Sequence, residues 1–169
     1  MITPRDLSVL QSLARYFVLN RVQIQRLCFP EDTDGRITRR RLLKLVHHNL
    51  INRQPHQMHD MEAGAPSSVY YPARRGLEIL AEELDDRCYQ RVSTQAPQPH
   101  HVRHWLAVSE THLAIDTAMA QQSAVQIEGW FNEWDTVTGD DSAAENRYRL
   151  YTLLDESPRL VCVLSLIQI

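Results

Sequence analysis

Positively charged side chains are concentrated in one short stretch of the chain, residues 36–56. Arginine and lysine can contact DNA phosphates, and both can donate hydrogen bonds to guanine in the major groove. Threonine and histidine can add polar contacts to the same surface. The stretch therefore predicts a contact surface for double-stranded DNA, with these candidate residues: Arg36, Thr38, Arg39, Arg40, Arg41, Lys44, His47, Arg53 and His56.

This stretch has the pattern of an amphipathic helix when successive residues are placed about 100° apart. Apolar residues fall on one side or at its edge: Leu42, Leu45 and Val46, then Leu43 and Leu50. The basic residues fall opposite, except Arg39, which lands in the apolar arc. Asn49 tolerates the left-handed conformation in which helices commonly stop. We predict a helix over residues 36–48, followed by a strand.

Two further helices are predicted upstream, at about residues 4–18 and from residue 21 onward. Each begins with a capping box: Thr3 with Asp6, and Asn20 with Gln23. Pro30 ends the second helix, because proline disfavours helix at the residue before it. The acidic turn 31–35 is longer than the tightest helix-turn-helix turn, which predicts a loose connection to the third helix.

Two strands are predicted downstream, at 51–54 and 69–71, and we interpret residues 55–68 as a mobile loop between them. Another helix follows at 74–84, then a proline-containing linker and a long helix at 100–121. Beyond it, segments near 125–134, 147–152 and 160–164 are strand-like. The expected fold class is α+β, with a DNA-binding domain at 1–91, a linker at 92–99 and a helix-plus-strands region at 100–169.

The charge is distributed unevenly. Residues 1–57 hold ten Lys and Arg against four Asp and Glu, whereas residues 58–169 hold eight against seventeen. The net charges are therefore +6 and −9, which suggests a polyanionic partner for the first part only.

Several broad classes are disfavoured. The three cysteines are far apart and form no Cys-x-x-Cys pair, which indicates free thiols in a reducing compartment. No apolar run approaches the roughly 20 residues of a membrane span, and no signal-peptide core is present. We therefore expect a cytoplasmic protein without a membrane partner.

Catalytic and metal sites are also disfavoured. Four histidines cluster loosely along the sequence (His100, His101, His104 and His112), but Glu110 is the only carboxylate between them and no cysteine is near. A nuclease-like core would need Glu-x-Lys on a strand, and the only lysine is Lys44. We expect no metal, no cofactor and no enzymatic activity.

Four segments carry a resemblance to known proteins: residues 40–45, 50–53, 71–76 and 104–108. The first three resemble the winged helix-turn-helix of bacterial transcriptional regulators. Together with the fourth, they make the chain similar to the replication-relaxation family of plasmid and mobile-element proteins. This resemblance implies DNA binding linked to plasmid replication. Such proteins continue into a fuller α/β domain, so residues 100–169 are interpreted as truncated or as completed by a partner.

The main functional hypothesis is sequence-specific double-stranded-DNA binding that regulates transcription or replication of a plasmid or other mobile element. One alternative is a winged helix that docks a protein in a replication or mobilisation complex. Another is an inactive nuclease-like remnant. We also expect a homodimer formed through residues after Pro99, although their large aromatic groups could instead fill a small core: Trp105, Trp130, Phe131 and Trp134.

Overall fold

The computed structural model describes residues 2–56 and 67–121. This part of the chain contains five α-helices: α1 Pro4–Tyr16, α2 Arg21–Cys28, α3 Arg36–His47, α4 Arg74–Glu83 and α5 Val102–Ala120. It also contains two short 3₁₀ helices, Arg87–Arg91 and Pro99–His101. It also contains three strands: β1 Leu19–Asn20, β2 Ile51–His56 and β3 Ser67–Pro72. The predicted α+β class is therefore confirmed. The strands predicted after residue 121 lie outside the described residues.

The three strands form an antiparallel sheet in the order β1-β3-β2. In β2 and β3, Ile51 lies opposite Pro72, and His56 lies opposite Ser67. The predicted loop 55–68 was therefore too long at both ends, because the antiparallel pairing continues through His56 and resumes at Ser67. Residues 57–66 lie outside the described part of the chain.

The first two helices begin as predicted. The Thr3 side chain accepts a hydrogen bond from the Asp6 amide, and the Asp6 side chain accepts one from the Thr3 amide. Asn20 and Gln23 form the equivalent box at α2. These reciprocal bonds satisfy amides that the first turn of a helix leaves without partners.

A single hydrophobic core joins the helices to the sheet. Its fully buried large side chains come from all five α-helices and from all three strands, and they include Leu13, Leu19, Ile24, Leu42, Ile51, Val69, Leu77, Leu80 and Val102. The α3 helix contributes Leu42 and Leu45, which are 0% and 2% exposed. Burial of these two residues confirms the predicted inward side of α3.

The acidic turn before α3 is held by Asp32, which is buried. Its carboxylate accepts hydrogen bonds from the amides of Ile37 at 3.2 Å and Thr38 at 2.7 Å, and from the Thr38 hydroxyl at 2.6 Å. Asp34 accepts a bond from the Arg36 amide at 2.9 Å. The expected loose connection was wrong, because these carboxylates cap the first turn of α3.

Gly35 is the residue that brings the chain from this turn into α3. Its φ of 69° is in the left-handed region, which is strained for residues with a Cβ atom. At the other end of α3, Asn49 has a φ of 56°, and the Leu50 amide donates to the Leu45 carbonyl at 2.9 Å. The predicted left-handed stop at Asn49 is therefore confirmed.

An ion pair fastens α3 to the start of α1. The Arg41 guanidinium donates two hydrogen bonds to the Asp6 carboxylate, and a third to the Thr3 hydroxyl at 2.8 Å. The Asp6 side chain is 3% exposed and that of Arg41 is 23% exposed. Burial alone would raise the pKa of Asp6, but the bonds from Arg41 and Thr3 outweigh this effect and hold that pKa below its usual value.

The first part of α5 packs on α1 and α2. The Ser109 hydroxyl lies 2.9 Å from the Tyr16 carbonyl oxygen and 2.8 Å from that of Val18, so it can donate its proton to either. Glu110 accepts hydrogen bonds from Gln23 at 2.9 Å and from Arg26 at 2.6 Å. The first compact unit accordingly extends through the predicted linker at 92–99 and ends at Ala114.

We predict that Leu45→Ala lowers the free energy of unfolding by about 2–5 kcal/mol, because it leaves a cavity at a buried position. Leu43→Ala is the matched control on the same helix. Leu43 is 58% exposed, so its truncation should change the free energy of unfolding by no more than about 0.5 kcal/mol. Chemical denaturation measures both values, and equal losses would contradict the assigned orientation of α3.

We also predict that Asp6→Asn lowers the free energy of unfolding by about 1.5–3 kcal/mol at pH 7, since it removes a charged hydrogen-bond partner of Arg41. The pKa of Asp6 is lowered in the folded state, so its contribution is complete above the unfolded pKa. The difference between wild type and variant should shrink below about pH 4. Glu83→Gln, which removes an exposed carboxylate, is the control; a difference independent of pH would refute the prediction.

Candidate nucleic-acid interface

The outward side of α3 carries a row of exposed basic residues, which we call the basic stripe: Arg36, Arg40, Lys44 and His47. Because successive residues of a helix are about 100° apart, these four side chains project from the helix axis within an arc of roughly 80°. Their shared direction follows from the burial of Leu42 and Leu45 on the other side. The helix therefore presents its positive charge on one side only.

Local acids neutralise this charge only weakly. The sequence of α3 contains no acidic residue. Arg36 pairs with Asp34 at 3.9 Å, and both side chains are more than half exposed, so solvent screens the pair. Among the ion pairs of the described residues, none involves Arg40 or Lys44. The basic stripe can therefore attract a polyanion.

Two apolar side chains flank the basic stripe. Ile37 is 45% exposed and Leu43 is 58% exposed. By the same helical spacing, the side chains of Ile37 and Leu43 lie on opposite sides of the arc that holds Arg40. Leu43 was placed at the edge of the buried side from sequence, and this assignment was wrong because the contact of α3 with the core is narrower than the apolar pattern.

An open groove of about 740 Å³ lies between this side of α3 and the start of α1. Phe29 and Ile37 are part of its wall, and Arg5, Arg40 and Lys44 also line it. The Arg5 guanidinium lies 5.9 Å from the centre of the Phe29 ring, within the range of a cation–π contact. Arg5 was not among the residues predicted from the sequence, because it lies on another helix.

Besides Arg36, three of the predicted α3 residues have partners within the protein. Thr38 is fully buried and hydrogen-bonded to Asp32, and Arg41 is paired with Asp6. Both side chains therefore have structural roles in this fold. Arg39 is exposed and donates to the Asp34 carbonyl oxygen at 3.0 Å, which contradicts its predicted position in the apolar arc.

Two predicted residues lie on β2. Arg53 is exposed, and its Nε donates to the Ser68 hydroxyl at 2.9 Å. His56 belongs to the strand and not to the loop in which it was expected. Arg53 therefore adds a positive charge on the strand that directly follows α3.

Three of the four histidines considered as metal ligands belong to one group of aromatic rings that includes Trp105. The rings of His100 and His101 are 4.2 Å apart, His104 lies beside Trp105, and His112 is buried against Tyr16. Within residues 2–56 and 67–121, no group of three or more His, Cys, Asp or Glu side chains could hold a metal ion. None of the helices described there is long and apolar enough to cross a membrane.

Comparisons with known proteins add one result. A family model described as replication-relaxation matches residues 10–152, a span that includes the whole of α3, β2 and β3. Comparisons with curated proteins and with solved structures gave no significant match. Because the family model covers well over half of the chain, this protein belongs to the replication-relaxation family, as the resemblance indicated.

Proposed function

We propose that this protein binds double-stranded DNA with sequence specificity and regulates the transcription or replication of a plasmid or other mobile element. The observation that carries the proposal is the basic stripe, which is exposed on one side of a helix whose other side is buried. Membership of the replication-relaxation family supports a role in replication or relaxation of such elements. We propose a binding role and no catalytic one.

In this proposal, the order of elements from α1 to β3 is that of a winged helix-turn-helix. The α2 helix precedes α3 directly, and the hairpin of β2 and β3 follows it. The α3 helix would then be the recognition helix, because an α-helix fits the width of the major groove. The hydrogen bonds that α3 donates to Asp32 and Asp6 would keep this helix in one orientation against the rest of the domain.

The proposal gives different parts to the cations of α3 and to those of the neighbouring elements. Arg36, Arg40 and Lys44 face outward along α3, where they can contact base edges and phosphates inside the groove. Arg5 and Arg53 lie on neighbouring elements and can contact the phosphates that border the groove. Such contacts release counterions, so binding should weaken steeply as the salt concentration rises.

The alternative is that the same basic surface docks an acidic protein in a replication or mobilisation complex. Duplex DNA carries a dense and regular charge, whereas an acidic protein surface does not. Selection of bound fragments from random duplex DNA, at a stated salt concentration, separates the two hypotheses. Enrichment of a shared sequence supports the proposal, and failure to enrich any duplex favours the alternative.

We predict that Arg40→Ala combined with Lys44→Ala weakens binding to the selected duplex without unfolding the protein. Both residues are exposed, so their truncation should leave the core intact. Each lost phosphate contact should reduce the slope of log affinity against log salt concentration by about 1. Fluorescence anisotropy at several salt concentrations measures this slope.

The matched control is Arg87→Ala combined with Arg91→Ala, which removes the same charge from an exposed 3₁₀ helix that follows α4. This pair should leave the salt slope within error of the wild-type value. If the Arg40 and Lys44 substitutions changed neither affinity nor slope at two salt concentrations, α3 would not be the DNA-binding helix.

We also propose that two copies bind together, because two related half-sites give a longer and more specific recognition sequence. The sequence after Pro99 is the expected interface, and much of it lies outside the described residues. We predict a dimer for the full chain and a monomer for a chain ending at Gln121, which keeps α5 whole. Sedimentation equilibrium measures both states. A monomeric full chain would reject this arrangement, and a dimer in the shorter chain would place the interface at or before Gln121.

A further inference from the structure

We infer that Ile37 and Leu43 determine part of the DNA specificity by contacting the methyl groups of thymines in the major groove. This inference rests on the proposed function and names the base chemistry that the outward side of α3 would read. Two thymine contacts are expected, one on each side of the basic stripe.

These two residues expose much of their aliphatic side chains to solvent. Ile37 and Leu43 are 45% and 58% exposed, although large aliphatic side chains of globular proteins are more often buried. Both lie on α3, between or beside cations, and Ile37 also lines the groove with Arg40 and Lys44. Two of the four exposed large aliphatic residues in the described part of the chain therefore lie beside the basic stripe.

The surrounding charge favours a nucleic acid over an apolar protein surface as the occupant. An apolar partner would have to cover Arg36, Arg40 and Lys44 together with Ile37 and Leu43, and burial of unpaired cations is costly. DNA offers phosphates for the cations and, in the same groove, the C5-methyl group of thymine for the aliphatic side chains. One ligand thus satisfies both kinds of side chain.

The arrangement also predicts which contacts are independent. Ile37 and Leu43 are six residues apart, so they start about 9 Å apart along the helix axis and on opposite sides of the basic stripe. Each side chain should therefore contact a different thymine. Loss of one contact should leave the other in place.

The test uses the full-length protein and the duplex that it selects from random DNA. Each thymine of that duplex is replaced in turn by deoxyuridine, which removes only the C5-methyl group. We expect two positions at which the replacement weakens binding about fourfold, the change expected when one buried methyl group is lost. In the Ile37→Ala variant, one of these two positions should become insensitive to deoxyuridine. In the Leu43→Ala variant, the other position should become insensitive.

Two controls make the result specific. Leu84→Ala truncates a leucine that is 40% exposed after the end of α4, and it should keep both sensitive positions. Ile37→Val keeps a branched side chain and should keep the sensitivity that Ile37→Ala loses. Thermal unfolding verifies that every variant is folded.

The outcomes separate this inference from the proposed function. Binding to a selected duplex that no deoxyuridine weakens would overturn the methyl contacts and leave the DNA-binding proposal intact. Sensitivity that survives in both alanine variants would assign the thymine contacts to other residues and also overturn the inference. Failure to select any duplex would overturn both proposals.

Discussion

The hydrogen bonds from α3 to the carboxylate of Asp32 determine how that helix is presented. Two amides of the first turn and the Thr38 hydroxyl converge on this one buried group. Burial would raise the pKa of Asp32, but these bonds outweigh it and hold the pKa below its usual value. The carboxylate therefore stays ionised near neutral pH, where its charge also interacts favourably with the N-terminal end of the helix dipole. A rotation of α3 about its axis would break several of these bonds together.

The charges of α3 are divided between structure and surface. Arg41 lies at the edge of the buried side and is paired with Asp6, so one cation holds the helix against α1. Arg36, Arg40 and Lys44 remain exposed on the opposite side. This division explains how a helix with five cations and no acid can pack in a compact unit: the cation nearest the core has a buried carboxylate as its partner, and the others keep their hydration.

The contacts of α5 bear on the organisation of the chain. The Ser109 hydroxyl can donate to either of two carbonyl oxygens at or just after the end of α1, and Glu110 accepts bonds from α2. Residues on both sides of the predicted linker thus stabilise the same helices. The family match also runs from residue 10 through this region to residue 152, so it includes residues on both sides of the predicted linker.

The sequence by itself determined the local features of this protein. Both capping boxes, the start of α3 and the left-handed stop at Asn49 were predictable, because each depends on residues no more than a few positions apart. Only the tertiary structure decided which α3 side chains are exposed at the surface. Thr38 and Arg41 have partners within the protein, and Arg39 and Leu43 are exposed although they were placed in or beside the apolar arc. Arg5 was not predicted. In each case the surroundings depend on how α3 packs against the other elements. Helical periodicity gives the direction of a side chain from the axis, but the packing of neighbouring elements decides which directions are covered.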